Sequence, residues 1–130
     1  MPTSLKATLK VDITGASSLV ATQTVAAEAY DRIDVTVAAG GSATIQVQPG
    51  GTGQVQLLFI SASAYPDDGS GTNQLTYTVD GGSAIDLDAP LLAVGTGAVG
   101  VLGDVNEVVF SNASGDDVDV TLLVGRDATA

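Results

Sequence analysis

An all-β fold, a single antiparallel β-sandwich of jelly-roll type with about eight to nine strands over residues 1–130, is predicted by three observations. Short runs alternate apolar with polar residues; clusters of Gly, Asp, Asn, Ser and Pro separate them roughly every ten to fourteen residues; helical periodicity is almost absent. A chain of 130 residues is long enough to bury about two-thirds of its unfolded surface, so no covalent staple is required.

Taken in order, Leu5, Ala7, Leu9, Val11 and Ile13 alternate with Lys6, Thr8, Lys10, Asp12 and Thr14. One face should be buried and the other wet, and the outward lysines suit an edge strand. Residues 15–18 break this run. Residues 19–30 begin as a strand, with Leu19, Val20, Thr22, Thr24 and Val25, and AAEAY then reads as a turn or short helical loop. Ile33, Val35 and Val37, then Ala43, Ile45 and Val47 after the GGS turn, read as a hairpin.

Pro49–Gly53 is a turn, and Val55–Ile60 follows as a strand. Leu57, Leu58, Phe59 and Ile60 make that strand apolar on both faces, which demands cover on each side. Leu75, Tyr77 and Val79, the Asp80-Gly81-Gly82 turn, and Ile85 with Leu87 form a second hairpin. Residues 90–103 are an apolar, glycine-rich connection that should pack across a sandwich end or against another chain. In DVNEVVFSNASGDDVDVTLLVG, residues 104–125, two apolar runs flank a polar turn; this reads as the hairpin closing the sandwich.

Composition excludes much chemistry. The chain has neither Cys nor His, so Ser-His-Asp and Cys-His catalysis, disulfides, and thiolate or imidazole metal sites are unavailable to it. Thirteen Asp and two Glu against Lys6, Lys10, Arg32 and Arg126 give a net charge of −11. Such a surface repels phosphate backbones and anionic lipid, so neither nucleic acid nor membrane is an expected partner. Saline surroundings also select acidic surfaces of this kind. The lysines lie on the first strand and the acids mostly in later loops; a solvated surface is the plain reading, head-to-tail contact between copies the alternative. Residues 1–12 alternate and contain no apolar core of a secretory signal, so a soluble protein made in a cytoplasm is expected.

Several motifs weaken when set in context. Gly95-Thr96-Gly97-Ala98-Val99-Gly100 spells G-x-G-x-x-G, yet no helix is expected after it and no βαβ rhythm surrounds it. Asp67, Asp68, Asp86 and Asp88 carry oxygen ligands suited to Ca²⁺, but no calcium-loop spacing is present, and solvated carboxylates are the simpler reading. Carboxylate-pair hydrolysis needs two acids facing across a cleft, which spacing cannot show. Asn112-Ala113-Ser114 spells a glycosylation triplet and reads as a turn. Tyr30, Tyr65 and Tyr77 are too scattered for a stacking platform, and there is no Trp. No catalytic, cofactor-binding or metal-binding residue is therefore assigned, and no cofactor is expected.

The segments IDVTVAAGGSATIQVQPGG, LTYTVDGGSAIDLDAP and VVFSNASGDDVDVTLLVGRD give residues 31–127 a pattern that resembles small all-β virion proteins of tailed bacteriophages. The likeness is to capsid decoration (cement) proteins and tail-associated sandwich domains. It implies a non-enzymatic virion component that binds a capsid or tail protein lattice as a symmetric homo-oligomer, often a trimer, and it transfers no lattice-binding residue. The apolar segments 57–60 and 91–102 are candidate subunit contacts. A stand-alone glycan- or protein-recognition module using loops 65–72 and 111–117 is the competing expectation; a carboxylate-only enzyme ranks third.

Overall fold

The structure, a computed structural model, describes residues 3–27, 29–47, 55–102 and 105–126. Their strands are β1 (Thr3–Val11), β2 (Leu19–Ala27), β3 (Ala29–Val37), β4 (Ser42–Gln46), β5 (Val55–Ala62), β6 (Leu75–Val79), β7 (Ile85–Asp86), β8 (Leu91–Val94), β9 (Glu107–Asn112) and β10 (Val118–Arg126), with one helical turn, α1 (Thr96–Gly100). The all-β sandwich is thus present, with two four-stranded antiparallel sheets ordered β3-β10-β5-β8 and β4-β9-β6-β7, and β1-β2 as a separate pair.

The pairing follows one rule. β6 pairs with β7, β5 with β8, β4 with β9 and β3 with β10. The chain from β3 to β10 is one long hairpin whose successive rungs alternate between sheets, with β10-β5 and β6-β9 closing each sheet. This is the strand order of a jelly roll. The reversal lies at Asp80 (φ 50°) and Gly81 (φ 74°), where Gly82 N–H donates to the Val79 carbonyl at 3.0 Å. Two consecutive positive φ angles are what a type I′ turn requires, and Asp and Gly tolerate them best. The Asp80 carboxylate also accepts the backbone N–H groups of Asn106 (3.0 Å) and Glu107 (2.8 Å), fastening the turn to the start of β9.

Two expected hairpins are corrected. β3 and β4 lie in different sheets, and so do β9 and β10. Turn chemistry at residues 38–42 and 112–117 reverses the chain but turns a corner between sheets. AAEAY is also corrected: β2 runs to Ala27 and β3 starts at Ala29, so four of these five residues, Ala26, Ala27, Ala29 and Tyr30, lie in strands. Within residues 90–103, Leu91–Val94 pairs with β5, and Val99 of α1 is buried. The turn expected at Pro49–Gly53 lies outside the described residues.

Alternation explains the core. Val118, Val120, Leu122 and Val124 of β10 face Leu58 and Ile60 from the same sheet and Leu75, Tyr77, Val108 and Phe110 from the other, all buried in one cluster. Phe110 and Tyr77 are cross-strand neighbours with tilted rings 6.3 Å apart. Asn112 and Ser114 are buried polar residues beside this core, and Asn112 makes the long-range tie. Its amide nitrogen donates to the carbonyls of Val37 (3.1 Å) and Asp116 (2.7 Å), while its oxygen accepts from Ser114 N–H (3.0 Å) and Oγ (2.6 Å). One side chain in β9 thereby ties the corner to β3 in the opposite sheet.

Replacing Gly81 by Ala places a Cβ in the left-handed region and should lower unfolding free energy by about 1–2 kcal/mol. Asn112→Ala removes a donor from the Val37 carbonyl and the acceptor of the buried Ser114 N–H, leaves the Asp116 carbonyl to Ser114 Oγ, and should cost about 1–3 kcal/mol. Urea titration followed by far-UV circular dichroism measures both.

Candidate functional site

The β1-β2 arm stands apart from the sandwich. Antiparallel register pairs Leu5 with Val25, Ala7 with Gln23, Leu9 with Ala21 and Val11 with Leu19, so these side chains share one face. Lys6, Lys10 and Val20 lie on the other, with Thr8 opposite Thr22. At the arm's base Val25 is buried, and so is Leu57 of β5, although neither belongs to the main core cluster. β2 contacts β5, so the arm supplies part of the second-face cover that an apolar β5 demanded. The other outward-facing apolar residue of β5, Phe59, is only half-buried.

Further out the arm loses its cover. Leu5 and Ala7 are half-buried, but Leu9, Val11 and Leu19 are 54%, 49% and 63% exposed. Ala7, Leu9, Ala21, Leu92 and Val94 line an apolar cleft of about 260 Å³ between the arm and β8. The alternation of residues 5–13 forms a strand as far as Val11, in a two-stranded sheet separate from the two four-stranded ones. Periodicity reports that a face is apolar; it does not say which surface meets it.

The acidic loops occupy one end of the sandwich. The segments at 38–41, 63–74 and 113–117 meet there: Ala113 N–H donates to the Gln74 carbonyl (2.8 Å), Asn112 N–H to Gly41 (2.9 Å) and Ala39 N–H to the Asp117 carboxylate (2.9 Å). The structure thus brings together loops 65–72 and 111–117. It does not free their carboxylates for a ligand. Asp67 Oδ1 accepts Gly69 N–H (3.0 Å), and Asp68 Oδ1 accepts Ser70 N–H (2.7 Å) and Thr72 N–H (3.1 Å). These are Asx turns, in which the side chain satisfies its own loop backbone. Asp119 accepts from Thr36 Oγ1 at 2.7 Å. Asp86 and Asp88 flank buried Leu87 and are exposed. Among the described residues, no three acidic side chains gather as a metal-binding group.

The remaining motifs resolve as local structure. A strand leads into Gly95 and one helical turn follows, contrary to expectation, yet α1 has five residues and its neighbouring strands are antiparallel, so no βαβ unit forms. Asn112 is 2% exposed with its amide nitrogen committed to two carbonyls, which closes it to glycosylation. Tyr65 OH accepts Ala62 N–H at 3.1 Å and packs against the core; Tyr77 is buried, and burial raises its hydroxyl above the ordinary value. Tyr30 is exposed. In comparisons with known proteins, no family model, no curated protein and no solved structure matches the chain.

Hydrogen bonds from Ser70 and Thr72 hold the Asp68 carboxyl below its ordinary value of 3.8. Its contribution to loop order is present above that value and is lost as pH falls through the lower folded value. An NMR acid titration should show the Asp68 carboxyl midpoint below 3.8, with the Ser70 and Thr72 amide signals moving at the same midpoint.

Proposed function

We propose that this chain is a non-catalytic structural protein of a tailed-bacteriophage virion, binding the outer capsid lattice as a symmetric homo-oligomer. The observation that carries this reading is the uncovered apolar face of the β1-β2 arm at Leu9, Val11 and Leu19. A contiguous apolar face in water is costly and marks a surface meant for another macromolecule. Assembly on a lattice requires buried contact area and a stiff scaffold. The sandwich fits that need, with a well-packed Val- and Leu-rich core and loop carboxylates turned onto their own backbone. Jelly-roll sandwiches also recur among viral capsid proteins, an analogy at the level of fold. A tail-associated role would place the same assembly on a different lattice.

The shared end of loops 65–72 and 111–117 favours, as a second reading, recognition of a glycan or peptide there. The two separate in one experiment. Full-length chain is mixed with phage heads and tails, freed of bound accessory proteins and resolved on a density gradient. Saturable binding to heads supports decoration, and binding to tails supports the tail role. Leu9→Thr with Leu19→Thr should weaken that binding about tenfold or more, the scale of two lost leucine contacts. Binding to neither particle, together with a melting temperature that rises with a glycan or peptide, refutes the virion reading and supports recognition by the loops.

A further inference from the structure

We infer that the exposed half of the arm docks on a second copy of this chain, reciprocally, with the Leu9, Val11 and Leu19 face lying on the outer face of the partner's β3-β10-β5-β8 sheet. This rests on the assembly reading of the arm and specifies its occupant.

Charge selects that occupant. In the arm region, Lys6 and Lys10 against Asp12 leave +1; from residue 28 onward, fourteen acidic residues against Arg32 and Arg126 leave −12, which together make the chain's −11. Both arginines are engaged, Arg32 by Asp34 (3.5 Å) and Arg126 by Asp31, and in the arm Lys10 lies 3.6 Å from Asp12. Two sandwiches therefore repel one another, and the arm is the one part of the chain that the field of another sandwich attracts.

The same fold supplies a receptor. Register places Phe59 of β5 beside Leu123 of β10 on the outer sheet face, both half-buried, and exposed Tyr30 of β3 lies on that face as well. On the same face register places Arg32 beside Leu123, Asp34 beside Thr121, and Thr36 beside Asp119, so the strip continues into an acidic end past the paired Arg32. The chain's own arm reaches only the β5-β8 side of it, at Val25, Leu92 and Val94.

Size makes the docking reciprocal. A stable interface draws roughly 20–30 residues from each side. The segment from Leu9 to Leu19 supplies eleven. A single docked arm falls short, whereas in an exchange each copy contributes both an arm and a receptor face, which enlarges each side in the self-complementary geometry of a two-fold pair.

The test uses the full chain. Sedimentation equilibrium of the wild type should give a mass of two chains or more, and Leu9→Thr with Leu19→Thr should raise the dissociation constant about tenfold or more. Lys6→Glu with Lys10→Glu leaves the apolar face intact and should weaken association by a similar factor, about tenfold. Because the chain has no cysteine, Ser17→Cys can carry a photocrosslinker at the arm tip. In a mixture of ¹⁴N and ¹⁵N chains, isotopically hybrid cross-links to residues 57–61 or 119–125 support the exchange. A monomer at every concentration, or an oligomer whose dissociation constant neither double variant changes, overturns it. Binding to heads or tails is scored separately on stripped particles, so loss of the self-contact and loss of the virion role are told apart.

Discussion

At residues 79–82 the chain reverses through two successive left-handed backbone conformations, and the Asp80 carboxylate fastens that reversal to the first residues of β9. Every later rung depends on this registration. β6 meets β7 at short sequence separation, β5 then meets β8, β4 meets β9 and β3 meets β10. Each outer rung closes a longer loop, but the entropic cost of closure grows only logarithmically with length, so a register set at the tip propagates outward cheaply. Because a one-residue slip would move Val118, Val120, Leu122 and Val124 from the core to water, the period-two pattern then holds each rung in place.

A second constraint concerns the outer face of β5. A strand that is apolar on both sides needs two covers, and the opposite sheet provides only one. The arm, where β2 meets β5, provides part of the other and leaves Phe59 and Leu123 half-covered. The same arm carries its own apolar face past the sandwich edge. Incomplete cover of the sheet and incomplete cover of the arm are thus complementary deficits within one molecule. Under the proposal made here, both are met when copies assemble, and the long-range repulsion between acidic sandwiches restricts close approach to the arm.

The loops show the opposite economy. Thirteen aspartates suggest ion binding, yet the carboxylates of Asp67, Asp68 and Asp117 accept bonds from backbone N–H groups of the loops. Their charge remains as a field around the sandwich while their lone pairs are spent on loop geometry. Asn112 does for the buried corner what these residues do for the exposed loops, joining β9 to β3 through its amide nitrogen and to Ser114 of the corner through its oxygen.

Alternation along the chain made the all-β class, most strand positions, the inward set of β10 and the 75–87 hairpin legible, since burial of one face and positive φ at Asp80-Gly81 are local demands written in adjacent residues. Partner choice was not legible at the other reversals. The residues at 38–42 and 112–117 satisfy a chain reversal equally well within a sheet or between sheets, and only the long-range rungs to β10 and β9 decided that these reversals are corners. The apolar face of residues 5–13 was visible too, with its lysines opposite. That it lies outside the sandwich was settled by packing, because an alternating pattern specifies that a face seeks cover and carries no information about which surface, in which copy, provides it.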